Sequence, residues 1–389
     1  LYNTSHVLTP SSANGTFDEN GGFTLAVTSP ISIDSLGRYV CKIPYELKDG
    51  VIAEDALSET TGNYEISNAG QLYWFADKVS NDNTTYSSAN AVLTQDIVVN
   101  EGDVSGCDGN KAEGWKDWTP IGNFGDAYFG TFVGTFDGQN HTISGLYFND
   151  SKKRYVGLVS HNTGTIQNVG VVNSYFKGDL HVSGMCGYNG GTIKNSYNAG
   201  TISCTDEYAG GMCGDNYGTI ENSYNTGTIS GKRLVGGVCG YNGGTIENSY
   251  NTETISGENW IGGVCGSAGD DAKTTNCYNI GTVFGTDSRV GGVYGYNNND
   301  TVANCYYLDT CAAEGTTFTN DDGISKTADQ LTNGEVAYLL NFHQTIGEDE
   351  IPTLNEQARA VVRLTLTYDE TFGDDADTKE LYYNAADEV

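Results

Sequence analysis

A sixteen-residue phrase recurs along this chain, and its period constrains the fold more than any other feature. Val182–Tyr197 reads VSGMCGYNGGTIKNSY, Ala209–Tyr224 reads AGGMCGDNYGTIENSY, and Val235–Tyr250 reads VGGVCGYNGGTIENSY. An earlier copy begins at Tyr155, and looser ones end at Tyr278 and Tyr306. The central glycines, Gly157, Gly184, Gly211, Gly237, Gly263 and Gly292, step by 27, 27, 26, 26 and 29 residues. Helical repeats need about 34–45 residues with apolar positions at a 3.6-residue period, and none is visible. Each copy instead holds three short β-type pieces, exemplified by those around Val238, Thr245-Ile246 and Thr254-Ile255, punctuated by Gly and Asn as turns require. No LxxLxL frame supports a leucine-rich repeat. The period therefore predicts an all-β, right-handed parallel β-helix with about 26–27 residues per coil and roughly seven to ten coils.

Stacked coils place equivalent residues in columns about 4.8 Å apart. One column is Asn168, Asn195, Asn222, Asn248, Asn276 and Asn304, read as a hydrogen-bonded ladder at a buried corner. A second is Tyr197, Tyr224, Tyr250, Tyr278 and Tyr306, read as a ring stack. Ile166, Ile193, Ile220 and Ile246 read as core. Cys186, Cys213, Cys239 and Cys265 form a fourth column, and Cys277 and Cys305 stand where earlier copies carry Ser. A line of thiols offers neither tetrahedral zinc geometry nor good disulfide geometry, so it reads as a ladder of buried free thiols. Cys41–Cys107 and Cys305–Cys311 are the pairs expected to bridge.

An open β-helix end invites unwanted strand pairing and must be capped. The 3.6-period set Leu72, Phe75, Ala76 and Val79 predicts a helix behind an N-cap at Ser67 or Asn68. Thr327 and Gln330 form a capping-box pattern ahead of Val336, Leu339 and Leu340, predicting short helices at the other end. The expected organisation is a β-type extension or remnant of a preceding domain over 1–60, and an N-terminal cap and first coil over 61–115. The repeat solenoid follows over 116–312, then a helical cap over 313–355 and a strand with an acidic tail over 356–389.

Charge narrows the partners. Lys plus Arg is 19 against Asp plus Glu of 50, a formal net charge of −31. Nucleic acid needs clustered basic residues, so it is excluded as a partner, and no apolar run suits membrane insertion. There is no CxxC, GxSxG, P-loop or HExxH, and the five histidines show no metal-ligand spacing and read as surface residues. Asp206, Asp270 and Asp321 mark the densest acidic loops and are weak calcium candidates without the Asp-x-Asp-x-Asp-Gly pattern; no other cofactor is expected.

The informative column is the one that varies. Ahead of each Gly-Gly unit stand Arg154, His181, Tyr208, Leu234, Trp260 and Arg289, with Arg233 in the neighbouring column. In a solenoid, scaffold positions repeat while one edge diversifies, and partners often bind there. Tyr208 and Trp260 are expected to stack on sugar rings or anchor a protein. The plainer alternative is tolerated surface variation.

Tyr155-Val-Gly-Leu-Val-Ser and the later Val-Gly-Gly-Val-Cys-Gly copies resemble the GLUG motif of bacterial cell-surface proteins. Tyr64–Leu72, Trp118–Gly122 and Gly334–Leu340 resemble the flanking segments of such proteins. The resemblance implies an extracellular or cell-surface module, often from Gram-positive gut bacteria, acting as an adhesin or spacer toward host or microbial glycans or proteins. GLUG repeats also occur beside IgA-cleaving metallopeptidases, whose HExxH this chain lacks. The expectation is a non-catalytic binding module. Self-association into a fibre through the 360–367 strand, and a carbohydrate-active enzyme using loop carboxylates, are the alternatives.

Overall fold

A computed structural model of the protein describes residues 62–354, apart from 123–129, 299–300, 321 and 347, together with the backbone of short strands at 15–17, 23–25, 32–33, 39–40 and 59–60. Cys41, Asp321 and the expected 360–367 strand lie outside the described residues. Leu1–Asp49 is a unit of its own, with two antiparallel pairs, Gly15–Phe17 with Phe23–Leu25 and Ser32–Ile33 with Tyr39–Val40.

The second unit is a parallel β-solenoid of about nine turns. One line of paired residues crosses all of them: Tyr64, Ala91, Phe136, Ile166, Ile193, Ile220, Ile246, Thr274 and Val302. Each regular coil contains five short strands rather than three. In one coil these are Arg233–Gly236, Cys239–Asn242, Thr245–Glu247, Tyr250–Asn251 and Ile255–Gly257. The piece predicted around Val238 is thus two strands in two different six-stranded sheets. We call these the corner sheet, which holds Arg233–Gly236 and its equivalents, and the thiol sheet, which holds Cys239–Asn242 and its equivalents.

Glycine lets these two sheets lie almost in contact. A Cβ on Gly240 would sit 2.6 Å from the Gly214 carbonyl oxygen and 2.8 Å from both the Ala209 nitrogen and the Leu234 oxygen. Backbone atoms cannot swing away, so the position excludes every side chain.

Inside, Ile166, Ile193, Ile220 and Ile246 are fully buried. Two asparagine ladders run beside them that the sequence reading did not single out. Asn162, Asn189, Asn216 and Asn242 are fully buried, and each Nδ2 donates to the next Oδ1 at 2.8 Å. Asn198, Asn225, Asn251 and Asn279 repeat the arrangement at 2.7–2.8 Å. Turn carbonyls and glycine N–H groups complete both sets, as buried amides require. The predicted ladder of Asn195, Asn222, Asn248 and Asn276 sits on a half-buried corner instead, bonding at 3.1 Å from Asn248 to Asn222 and from Asn276 to Asn248. Its residues hold left-handed φ values of 48–55°, which Asn tolerates better than most side chains.

The tyrosine column stacks face on face. Tyr197–Tyr224, Tyr224–Tyr250 and Tyr250–Tyr278 have centroids 5.0, 4.8 and 4.8 Å apart and planes within 12° of parallel. The thiols of Cys186, Cys213, Cys239 and Cys265 are buried, unbridged and in register, each donating to a carbonyl two residues on at 2.8–3.1 Å. Cys305 and Cys311 are free thiols, contrary to the expected bridge.

Among the described residues four helices flank the coils: α1 (Ala69–Asn81), α2 (Asn83–Tyr86), α3 (Ala328–Thr332) and α4 (Glu335–Leu340). Asn68 caps α1, its Oδ1 accepting from Gln71 N at 2.9 Å. Phe75 of α1 then packs edge-on against Phe132 of the first coils. The capping box at Thr327 and Gln330 starts α3. Leu331, Val336 and Leu340 bury their side chains against Tyr250, Tyr278 and Tyr306, so α3 and α4 cover the flank of the tyrosine column over the last coils. No helix among the described residues is long and apolar enough to cross a membrane.

Candidate functional site

The varying column stands at the corner where each strand of the corner sheet begins. Register pairs Arg154 with Leu180, Val156 with Val182, Val182 with Ala209, and Val235 with Ile261. The column is therefore Tyr155, His181, Tyr208, Leu234, Trp260 and Arg289. Arg154 belongs to the neighbouring column with Glu207 and Arg233, a correction to the sequence alignment. The first coil has one residue fewer at its turn: Val156 pairs with Val182, 26 residues on, but Val159 pairs with Cys186, 27 on. Aligning the central glycines hid that slip.

All six corner residues have left-handed backbone, with φ of 59, 55, 69, 52, 61 and 70° in chain order. That conformation suits Gly or Asn and costs about 1–2 kcal/mol for other residues. The Asn195 corner obeys the rule in every repeat. This corner breaks it in every repeat, with large and changing side chains.

The rings use their faces on one another. His181 stacks between Tyr155 and Tyr208, at 4.5 Å on both sides and within 9° of parallel. The Trp260 ring has the Arg233 guanidinium at 5.0 Å and the Arg289 guanidinium at 5.1 Å, and Arg289 also lies 4.6 Å from the Tyr296 ring. Arg233 further pairs with Glu207 at 2.6 Å. The faces expected to stack on sugar are thus already covered at Trp260 and on the His181 side of Tyr208. What the corner offers is ring edges and guanidinium N–H groups, which suit hydrogen bonding better than flat stacking.

Beside the corner, the outward column of the thiol sheet runs His161, Tyr188, Asp215, Tyr241, Ser267 and Tyr296. Asp215 takes the tyrosine position of its coil, and Tyr217 appears two residues later where the neighbouring copies carry Gly190 and Gly243. The Tyr217 ring fills the gap, 5.5 Å from Tyr188 and 5.9 Å from Tyr241. Asp215 lies buried behind it, with Oδ2 3.7 Å from His181 Nδ1 and Oδ1 without a hydrogen-bond partner.

Burial, and after it negative charge on the neighbouring Cys213 sulfur, pushes the Asp215 carboxyl up to about 8. Burial and then Arg154 push His181 down to about 4. A gap of 3.7 Å is too long for a hydrogen bond, and both shifts favour neutral forms, so the two groups do not make an ion pair near neutral pH. His161, also read as a surface residue, is half-buried and pushed by burial down to about 4. The sequence reading missed Asp215 and Tyr217; the exchange of Tyr-Asn-Gly-Gly for Asp-Asn-Tyr-Gly was its signal.

The calcium candidates do not converge. Asp206 accepts backbone N–H groups of Lys232 and Arg233 through its carbonyl, and the exposed Asp270 accepts from Asn298 Nδ2 at 2.8 Å. Among the described residues no group of three or more His, Cys, Asp or Glu is placed to hold a metal.

Residues 231–256 match the family described as "The GLUG motif". That stretch of the chain carries a GLUG motif. The matched GLUG repeat is one solenoid coil, and its Gly237-Val238 pair is the turn that joins the corner sheet to the thiol sheet. A crystal structure titled a "putative immunoglobulin A1 protease" from Bacteroides ovatus is similar in fold. Its TM-score is 0.56 and its sequence identity 22%, over 75% of this chain and 92% of that one. No curated protein matches the chain.

Proposed function

We propose that this GLUG-repeat solenoid is a non-catalytic, extracellular or cell-surface binding module that holds its varying corner toward a glycan or protein ligand. The observation that carries this reading is the contrast between two corners with the same left-handed backbone. The Asn195 corner keeps the cheapest residue in every coil. The Tyr155-to-Arg289 corner carries a different bulky side chain in almost every coil, at a backbone cost repeated six times. Strain kept in register marks positions retained for something other than stability. The chemistry favours ligands rich in hydrogen-bond acceptors, met by the Tyr208 hydroxyl and the Arg289 guanidinium, with the Trp260 ring packed beneath Arg289 and its own indole N–H buried.

The test is a glycan and mucin binding array comparing wild type with the Tyr208→Asn plus Trp260→Asn variant. Asparagine keeps the left-handed backbone comfortable, so β-sheet circular dichroism should be unchanged while ligand signal falls. Undiminished binding by a folded double variant would reject the corner as the site. A run with chelator reports in the same experiment whether calcium, a proposal resting on Asp206 and Asp270, takes part.

A further inference from the structure

The exchange at Asp215 and Tyr217 leaves a second, more specific feature on the same lateral face. Five rings run in a horseshoe around one carboxyl. His181 stacks on Tyr208 at 4.5 Å, Tyr208 meets Tyr241 edge-on at 6.3 Å and 81°, Tyr241 lies 5.9 Å from Tyr217, and Tyr217 lies 5.5 Å from Tyr188. Asp215 is paired in register between Tyr188 and Tyr241, so its carboxyl sits within this ring set. It is 8% exposed and its Oδ1 has no partner among the described residues. Tyr217, 51% exposed, is the most exposed of its walls.

We propose that this box binds a fully substituted alkylammonium group, such as a trimethylammonium, with the Asp215 carboxylate as its counter-ion and Tyr217 as the exposed wall. Ring faces attract cations through their quadrupoles. A carboxylate within the box adds direct charge pairing. The box is selective because of what it lacks. A primary ammonium carries three N–H donors, and the buried unpartnered polar atoms of the box are two, Asp215 Oδ1 and His181 Nδ1. At least one donor would be buried unpaired. A quaternary group has no donors to leave unmet. The chain's net charge of −31 further favours a cation.

Unliganded, Asp215 is held protonated by its burial, with a value of about 8. Binding a cation requires the ionised form, so binding releases a proton. Affinity then rises about tenfold per pH unit below about 8 and levels off above it. The groups facing Asp215 are His181, Tyr208, Tyr217, Tyr241 and the Cys213 thiol, with Arg154, Arg233 and Glu207 further out.

This inference rests on the reading of the lateral face as ligand-facing, and it is tested separately from the array. Tyrosine fluorescence and calorimetric titrations of the full chain use choline, Nε-trimethyllysine and n-butylammonium at pH 6 and 8.5. Saturable binding of the two quaternary probes is expected, at least tenfold tighter at pH 8.5, with n-butylammonium at least tenfold weaker. Whichever of choline and trimethyllysine binds tighter identifies the source of the group. Asp215→Asn, which keeps shape, should abolish the pH dependence and weaken binding at pH 8.5 at least tenfold. Tyr217→Ala should weaken it severalfold with the fold intact. No saturable binding at pH 8.5, equal binding of the primary amine, or unchanged binding by Asp215→Asn would overturn the proposal. A blank glycan array with these results intact would fault only the corner.

Discussion

The His181 imidazole lies flat on the Tyr208 ring, their centroids 4.5 Å apart and their planes 9° from parallel. Both residues stand in left-handed backbone, at φ of 55° and 69°. Neighbouring coils thus present side chains in contact, and whatever reads this corner reads a continuous strip rather than separate residues.

The buried asparagine ladders should carry much of the stability. Asn216 donates to Asn242 at 2.8 Å, accepts from Asn189 at 2.8 Å and reaches two turn carbonyls. Asn216→Ala removes these bonds and leaves buried partners unpaired, so we expect a loss of about 2–4 kcal/mol in urea unfolding. Asn222→Ala, on the half-buried corner, should cost less.

Gly240→Ala places a methyl group against three backbone atoms of neighbouring strands. Overpacking of this kind costs about 1–3 kcal/mol or more. Calorimetry should show a clearly lowered Tm, whereas Gly190→Ala, whose nearest atom would be 3.5 Å away, should unfold close to wild type.

The position of Asp215 makes stability depend on pH in a defined direction. Its folded value of about 8 exceeds the usual carboxyl value of about 3.9, so the folded state holds the proton more tightly. That contribution is complete below about pH 4 and is lost as pH rises to about 8. His181 acts oppositely: its folded value of about 4 lies below the usual 6.5, so its contribution is complete above about 6.5 and is lost as pH falls to about 4. Asp215→Asn should flatten the alkaline arm of a Tm-versus-pH curve and raise stability at pH 8 by about 1–3 kcal/mol.

Thiol labelling separates packed cysteines from accessible ones. Cys107 is half-buried, while Cys186, Cys213, Cys239 and Cys265 are fully buried. Iodoacetamide followed by mass spectrometry should modify Cys107 in the native protein and the ladder thiols only after unfolding. Prompt labelling of Cys239 without denaturant would contradict the packing described.

The parts of this fold that were legible in the sequence are those where one physical demand recurs in every coil. Ile193, Tyr224 and Cys239 announce their columns because each coil needs the same filling at the same place. The buried Asn189 and Asn216 recur as regularly, but their signal is shared with the Asn195 column, and sequence cannot say which of two asparagines points inward. The one-residue slip at Arg154 was illegible because a turn absorbed it without disturbing the glycine spacing. The Asp215 box arises from a departure from the repeat, and a consensus reading passes over departures. Closeness of the two sheets, set in this coil by Gly214 against the His181 backbone, brings His181 to Asp215 across coils, a contact no spacing within one repeat reveals.

Stability and recognition are expected to reside in different columns. The most direct measurement pairs thermal unfolding with array binding for two variants, Asn216→Ala in the buried ladder and Tyr208→Asn plus Trp260→Asn at the corner. The account predicts a crossed pattern: the ladder variant loses stability but binds below its melting temperature, and the corner variant stays folded but loses ligand. A corner variant that keeps full binding while losing stability as severely as the ladder variant would show the corner to be scaffold, and would contradict the account.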